Sequence, residues 1–152
     1  MPLVGVVMGS KSDEERMQPA LDTLEQMGIE YEVNVISAHR TPKKAQEYAQ
    51  TARDRGLEVI IAGAGMAAHL PGVLASWTTL PVIGVPLATG DLKGVDALLS
   101  IVQMPPGIPV ACVTIGSSGA KNAAFLSAQI LGLKYEKIRA AYDDFREGLA
   151  KG

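Results

Sequence analysis

Short aliphatic runs and longer amphipathic runs alternate from one end of this chain to the other, and that alternation limits the possible folds most sharply. The strand-length runs are Leu3–Met8, Tyr31–Ile36, Leu57–Ala62, Pro81–Val85 and Pro109–Ile115. Between and after them the pattern predicts helices over Asp13–Met27, Pro42–Arg55, His69–Trp77, Val95–Val102, Ala120–Leu131 and Tyr135–Leu149. Strands separated each time by a helix cannot pair as hairpins. They pair in parallel, through crossovers that place helices on both faces of one doubly wound α/β sheet. Composition fits such a sheet: 47% of residues are hydrophobic but only 5% aromatic, as expected where cores are thin aliphatic layers between helices and strands.

No linker, repeat or low-complexity stretch interrupts the 152 residues, a length suited to one domain over 1–152. A chain of this size can bury roughly 68–70% of its unfolded surface, so disulfides and structural metals are not required. Several borders carry a local reason. Thr41 can cap a helix that Pro42 opens, and Gly28, Gly56 and Gly132 follow helices where a left-handed residue is wanted. Pro19 lies inside the first helix and is expected to kink it.

Charge excludes some partners. Fourteen basic and 16 acidic side chains are spread along the sequence for a net charge of −2, with no basic block to neutralise a phosphate run, so no nucleic acid is expected. Leu3–Met8 is too short to span a membrane and has no cationic lead, which argues for a soluble, cytoplasmic protein. The single Cys112 lies in the apolar run Pro109–Ile115 and reads as a buried thiol in a reducing compartment.

In a doubly wound sheet ligands sit beyond the carboxyl ends of the strands, and three strand-to-helix loops there are unusual. The first, Gly9-Ser-Lys-Ser-Asp13, joins a tight turn to the hydroxyls of Ser10 and Ser12 and to a helix start, a combination that suits an anion. Asp13 would repel phosphate and suits sugar hydroxyls; Ser12 or Asp13 could equally serve only as helix caps. The second, Ser37-Ala-His-Arg-Thr-Pro42, offers Arg40 as a planar fork for phosphate and His39 as a group that can give and take a proton near neutral pH. The third, Gly63-Ala-Gly-Met-Ala-Ala-His-Leu-Pro-Gly72, is small and apolar. Gly65 lets backbone approach a flat ligand, and His69 is either a second polar contact or a structural hydrogen-bonder. Gly63, Gly65 and Ala68 match a dinucleotide fingerprint, but they follow the third strand and lack the acidic residue that should close the next one. Two histidines thirty residues apart and one apolar cysteine make no metal site.

Taken together, the stretches Val7–Asp13, Ser37–Pro42, Ile60–Gly65, Ala67–Gly72, Leu80–Pro86, Ser100–Pro105 and Gly119–Ala124 resemble the PurE family, in its bacterial and fungal mutase class. The resemblance runs from Gly5 to about Leu133. It implies a flavodoxin-like three-layer αβα sandwich, a homo-octamer, and cofactor-free conversion of N5-carboxyaminoimidazole ribonucleotide to its 4-carboxy isomer. It implies His39 as the catalytic residue and Ser10, Asp13 and Arg40 as substrate-binding positions, with Ser12, Ser37, Gly65 and His69 around them. Met66 departs from the pattern, since a glycine is usual there. Two other readings share the fold: a flavin- or dinucleotide-binding oxidoreductase, and a nucleotide-binding module without catalysis. Direct carboxylation of the aminoimidazole nucleotide by free carbon dioxide is the alternative reaction within the family.

Overall fold

A computed structural model describes residues 1–152. Five parallel strands, β1 (Val4–Met8), β2 (Tyr31–Val35), β3 (Val59–Gly65), β4 (Val82–Leu87) and β5 (Ala111–Cys112), form one sheet in the order β2-β1-β3-β4-β5. Six helices surround it: α1 (Glu14–Gln26), α2 (Pro42–Ala52), α3 (Leu70–Trp77), α4 (Val95–Val102), α5 (Ser117–Gly132) and α6 (Glu136–Ala150). This is the flavodoxin-like three-layer arrangement.

The alternation of side chains along β1 divides the core in two. Val4, Val6 and Met8 point into a layer shared with Met17, Ala20 and Leu24 of α1 and with α5. Val7 points the other way, against Ala45 and Ala49 of α2, Leu70 and Leu74 of α3 and Ile101 of α4. The small residues of α5 face inward. Ala120, Ala123, Ala124, Ser127 and Ala128 are fully buried within the chain, where they let α5 lie close against α1 and the sheet. Ser127 satisfies its hydroxyl by donating to the Ala123 carbonyl at 2.9 Å.

The expected borders hold to within about three residues except at β5, with β3 found at Val59–Gly65 rather than Leu57–Ala62 and α2 ending at Ala52 rather than Arg55, and several departures have a physical reason. β5 shrinks to two residues because it is an edge strand with β4 on one side only, and beyond it single bonds from the Val113 amide to the Gly84 carbonyl and from the Gly116 amide to the Pro86 carbonyl replace a ladder. Its Cys112 is accordingly half-buried rather than buried. α5 begins at Ser117, three residues before the expected Ala120, after Gly116 turns the chain at φ +83°. Pro42 opens α2 as expected, but Thr41 does not cap it; its hydroxyl donates to the Ser37 carbonyl at 2.9 Å. Gly28 and Gly56 take the left-handed conformation, whereas Gly132 stays helical. What Gly132 provides is room, since a Cβ there would lie 3.2 Å from the Arg139 backbone of α6. α1 runs unbroken from Glu14 to Gln26 with Pro19 inside it.

Gly119 and Gly148 make opposite predictions. A Cβ on Gly119 would meet the Thr114 carbonyl, a backbone atom that cannot swing aside, while one on Gly148 in α6 would meet nothing within 4 Å. Gly119→Ala is expected to lower stability by about 1–3 kcal/mol through overpacking, and Gly148→Ala to raise it by roughly 0.5–1 kcal/mol through helix propensity. Urea denaturation of the two variants checks the pair; a neutral Gly119→Ala would show that this contact does not hold α5 in place.

Candidate active site at the carboxyl ends of the strands

The sheet order places β1 between β2 and β3, so the chain leaves β1 in one direction and returns on its other side. The crevice this opens is the expected ligand position in a doubly wound sheet. Here it is an open cavity of about 400 Å³, walled by the loops that follow β1, β2, β3 and β4.

The β1 loop builds a polar floor. Ser10 is extended at φ −150°, and its Oγ accepts from the Ser12 amide at 3.3 Å and lies 2.9 Å from the Ser12 hydroxyl, fixing a single turn of 3₁₀ helix, Lys11–Asp13. Ser10 therefore caps this turn and lines the cavity at once. Asp13, at the end of the turn, is 6% exposed with its nearest cation, Arg16 Nη1, 3.8 Å away. Burial pushes its carboxyl above the usual aspartate range, with Arg16 and the Ser10 amide pulling in the opposite direction.

The β2 loop is wound by Ser37. Its hydroxyl accepts from the Arg40 amide at 3.1 Å, and its carbonyl accepts from the Thr41 amide at 2.8 Å and the Thr41 hydroxyl. That turn holds His39 and Arg40 at the cavity wall. Arg40 has no carboxylate partner among the ion pairs of the fold, so its charge is available to a ligand.

The β3 loop brings the second histidine to the first. His39 Nε2 lies 2.7 Å from His69 Nδ1, with the rings edge-on at 86° and centroids 4.8 Å apart. His69 occupies the N-cap position of α3, so the start of that helix sets its place. One of the two facing nitrogens must carry the hydrogen and the other the lone pair, so the rings share a single proton across this bond and each orients the other. Ala64, Gly65 and Ala67 form a thin wall beside the pair.

All eight candidate site residues, Ser10, Ser12, Asp13, Ser37, His39, Arg40, Gly65 and His69, line this one cavity, but two residues of the glycine fingerprint, Gly63 and Ala68, are absent from its lining. The missing side chain of Gly63 makes room for the Met17 thioether of α1, a core role rather than a ligand contact. Thr89, in the loop after β4, is a wall residue that the sequence reading missed. Its hydroxyl fills the space beside Gly65, where any side chain on Gly65 would collide with it. A Thr-Gly pair just past the end of a strand was the available signal.

The fold and this cavity define an α/β protein of flavodoxin-like topology with an open cavity at the topological switch point. The AIR carboxylase family model matches residues 3–151, and the chain belongs to that family, also known as PurE. Among its relatives are the N5-carboxyaminoimidazole ribonucleotide mutase of Pyrococcus abyssi, 58% identical over 99% of this chain and 86% of that protein. The protein of the same name from Bacillus subtilis is 58% identical over 96% of this chain and 90% of its own length. The crystal structure of Treponema denticola PurE superposes with a TM-score of 0.88 at 30% identity, covering 99% of this chain and 93% of that one.

The raised Asp13 carboxyl has a consequence for stability. The fold favours its neutral form, so its contribution is present in acid and is lost as pH rises through the folded-state value. Asp13→Asn is therefore expected to melt higher than the unmodified protein at pH 7, with the difference closing below about pH 4, where aspartate is protonated in either state. Calorimetry at the two pH values decides this, and a variant less stable at pH 7 would mean that the carboxylate is better solvated than its burial implies.

Proposed function

We propose that this cavity isomerises N5-carboxyaminoimidazole ribonucleotide to the 4-carboxy nucleotide, a step of purine nucleotide synthesis carried out in the cytoplasm without cofactor or metal. The observation that carries the reading is the His39–His69 hydrogen bond, set between an unpaired Arg40 and a thin apolar wall. The names of the most similar relatives agree with it. Arg40 and the hydroxyls of Ser10 and Ser12 take the phosphate, and Asp13 accepts from the ribose hydroxyls. His39 gives a proton to the exocyclic nitrogen as its bond to the carboxyl carbon breaks, leaving the bond pair on nitrogen and releasing carbon dioxide. Ring C4 then attacks that carbon dioxide, and the C4 proton returns to His39. The two proton transfers cancel and no electrons leave the system, so one acid–base group suffices. His69 holds the His39 ring through their shared hydrogen. Ala64, Gly65 and Ala67 keep carbon dioxide against the ring, replacing a bimolecular encounter with a positioned one that can contribute roughly 7–11 kcal/mol.

His39→Asn is expected to lower turnover at least ~10²-fold, the scale of a lost general acid–base group, while nucleotide binding survives on Arg40 and Asp13. Ultraviolet assay of turnover beside calorimetric titration measures both, and near-normal turnover would remove His39 from the mechanism. The family description, AIR carboxylase, supports a second reading in which free carbon dioxide is the co-substrate. Assaying one preparation for isomerisation at low bicarbonate and for direct carboxylation separates the two: rapid isomerisation with slow carboxylation is expected, and the reverse would exchange them.

The working species is a homo-octamer. Support comes from α4, whose Val95, Leu99 and Val102 follow one helical stripe yet are 52%, 56% and 45% exposed, with Leu92 of the preceding turn also exposed. A contiguous apolar stripe of this kind is what subunit contacts cover. Light-scattering chromatography is expected to show a species several times the 16.0 kDa chain, and Leu99→Asp to shift it towards smaller mass. A fully active 16.0 kDa monomer would refute the assembly.

A further inference from the structure

The loop after β4 reaches the cavity through one residue, Thr89. The chain turns tightly as it leaves the strand, with the Thr89 amide donating to the Leu87 carbonyl at 3.0 Å. Leu87 is the register partner of Gly65, so this turn sets Thr89 beside the glycine that ends β3. The Thr89 side chain, Oγ1 foremost, fills the space on the side of Gly65 from which a Cβ would project. Gly65 leaves a place at the cavity wall, and Thr89 holds it.

What sets Thr89 apart is a free hydroxyl. The side-chain hydrogen bonds around the cavity engage Ser10, Ser12, Ser37, Thr41 and the two histidines, and none engages Thr89 Oγ1. The residue is half-buried, so water serves this hydroxyl only in part. It has a hydrogen to donate and no acceptor within the chain. Its place decides what it could meet. The β1 and β2 loops carry Ser10, Ser12, Asp13 and Arg40, the groups assigned to phosphate and ribose, whereas Thr89 stands against Gly65 of the β3 wall. Ala64, Gly65 and Ala67 of that wall have no polar side-chain atom. A carboxylate brought against them loses hydration that only a nearby donor can replace.

We propose that Thr89 is a substrate-recognition residue whose hydroxyl donates a hydrogen bond to the carboxylate of the nucleotide, so that the cavity favours carboxylated over uncarboxylated aminoimidazole ribonucleotide. This inference rests on the isomerase reading given above. The hydroxyl takes no part in the proton transfers. It acts while the carboxyl group is attached, in substrate and product alike, and holds that group against the wall beside the histidine pair.

Valine has the shape of threonine without the hydroxyl, so Thr89→Val keeps Gly65 covered and removes only the donor, while Thr89→Ser keeps the donor and removes a methyl group. Each variant and the unmodified protein are titrated by calorimetry with 4-carboxyaminoimidazole ribonucleotide and with aminoimidazole ribonucleotide. Thr89→Val is expected to bind the carboxylated nucleotide about tenfold more weakly, the scale of a lost hydrogen bond to a charged group, and the uncarboxylated one within about twofold of the unmodified protein. Thr89→Ser is expected to bind both as the unmodified protein does. Retained binding of the uncarboxylated nucleotide also shows that each variant is folded. Unchanged affinity of Thr89→Val for the carboxylated nucleotide overturns the assignment, and so does an equal loss for both nucleotides, which marks a packing role alone. An unmodified protein that binds neither nucleotide overturns the isomerase reading first and this inference with it.

Discussion

The pairing of β1 with both β2 and β3 is the constraint from which the rest of the molecule follows. Val4 stands in register with Tyr31 on one side and Val59 on the other, and the same double pairing continues to Met8. All three strands are parallel, so their carboxyl ends open at the same level. The chain leaves β1 towards β2 and leaves β3 towards β4, so the loops after β1 and β3 depart in different directions, and the space between them is filled by neither. The cavity is a topological consequence before it is a chemical one.

What fills the layers on either side decides how firmly that cavity is held. Met17 reaches from α1 into the gap above Gly63, and α5 lies close because Ala120, Ala123, Ala124 and Ala128 carry so little bulk. Small residues in a parallel sheet are not weak packing; they bring backbones close enough for dispersion to act over many atom pairs. The carboxyl ends of β1 and β3 are thereby fixed, since the Gly9 amide donates to the Gly63 carbonyl at 3.2 Å. The cavity at these strand ends stands on a stiff base.

Against that frame, the sequence was legible where physics acts locally. Strand and helix runs follow from periodicity, Pro42 from its missing amide, and Gly28 and Gly56 from backbone conformation. It was less legible where neighbours decide. The length of β5 depends on its lying at the edge, and the role of Gly132 on the approach of Arg139 from another helix. At the site, residue types with a chemical signature announced themselves: Arg40, His39 and Asp13 all line the cavity. The hydrogen bond between His39 and His69 did not, since it spans thirty residues and exists only because two loops close on each other. Thr89 was hidden for the same reason, having no distinctive chemistry of its own.

The two ends of the cavity are asked to do different things, and their residues differ accordingly. A phosphate and a ribose present charge and directional hydroxyls, which fixed partners such as Arg40, the Ser10 hydroxyl and Asp13 can grip. Burying Asp13 raises the cost of its charge, and a carboxylate lacking water gains more from ribose hydroxyls than a solvated one. A carbon dioxide molecule offers no such handle. It can be held only by shape, by proximity to the atom that consumes it and by the absence of an exit. The histidine pair sits where these demands meet, held at one side by the Ser37 turn and at the other by the start of α3. Its hydrogen bond links the β2 loop to the β3 loop, so the group proposed to move protons also ties together the polar and the apolar walls of the cavity.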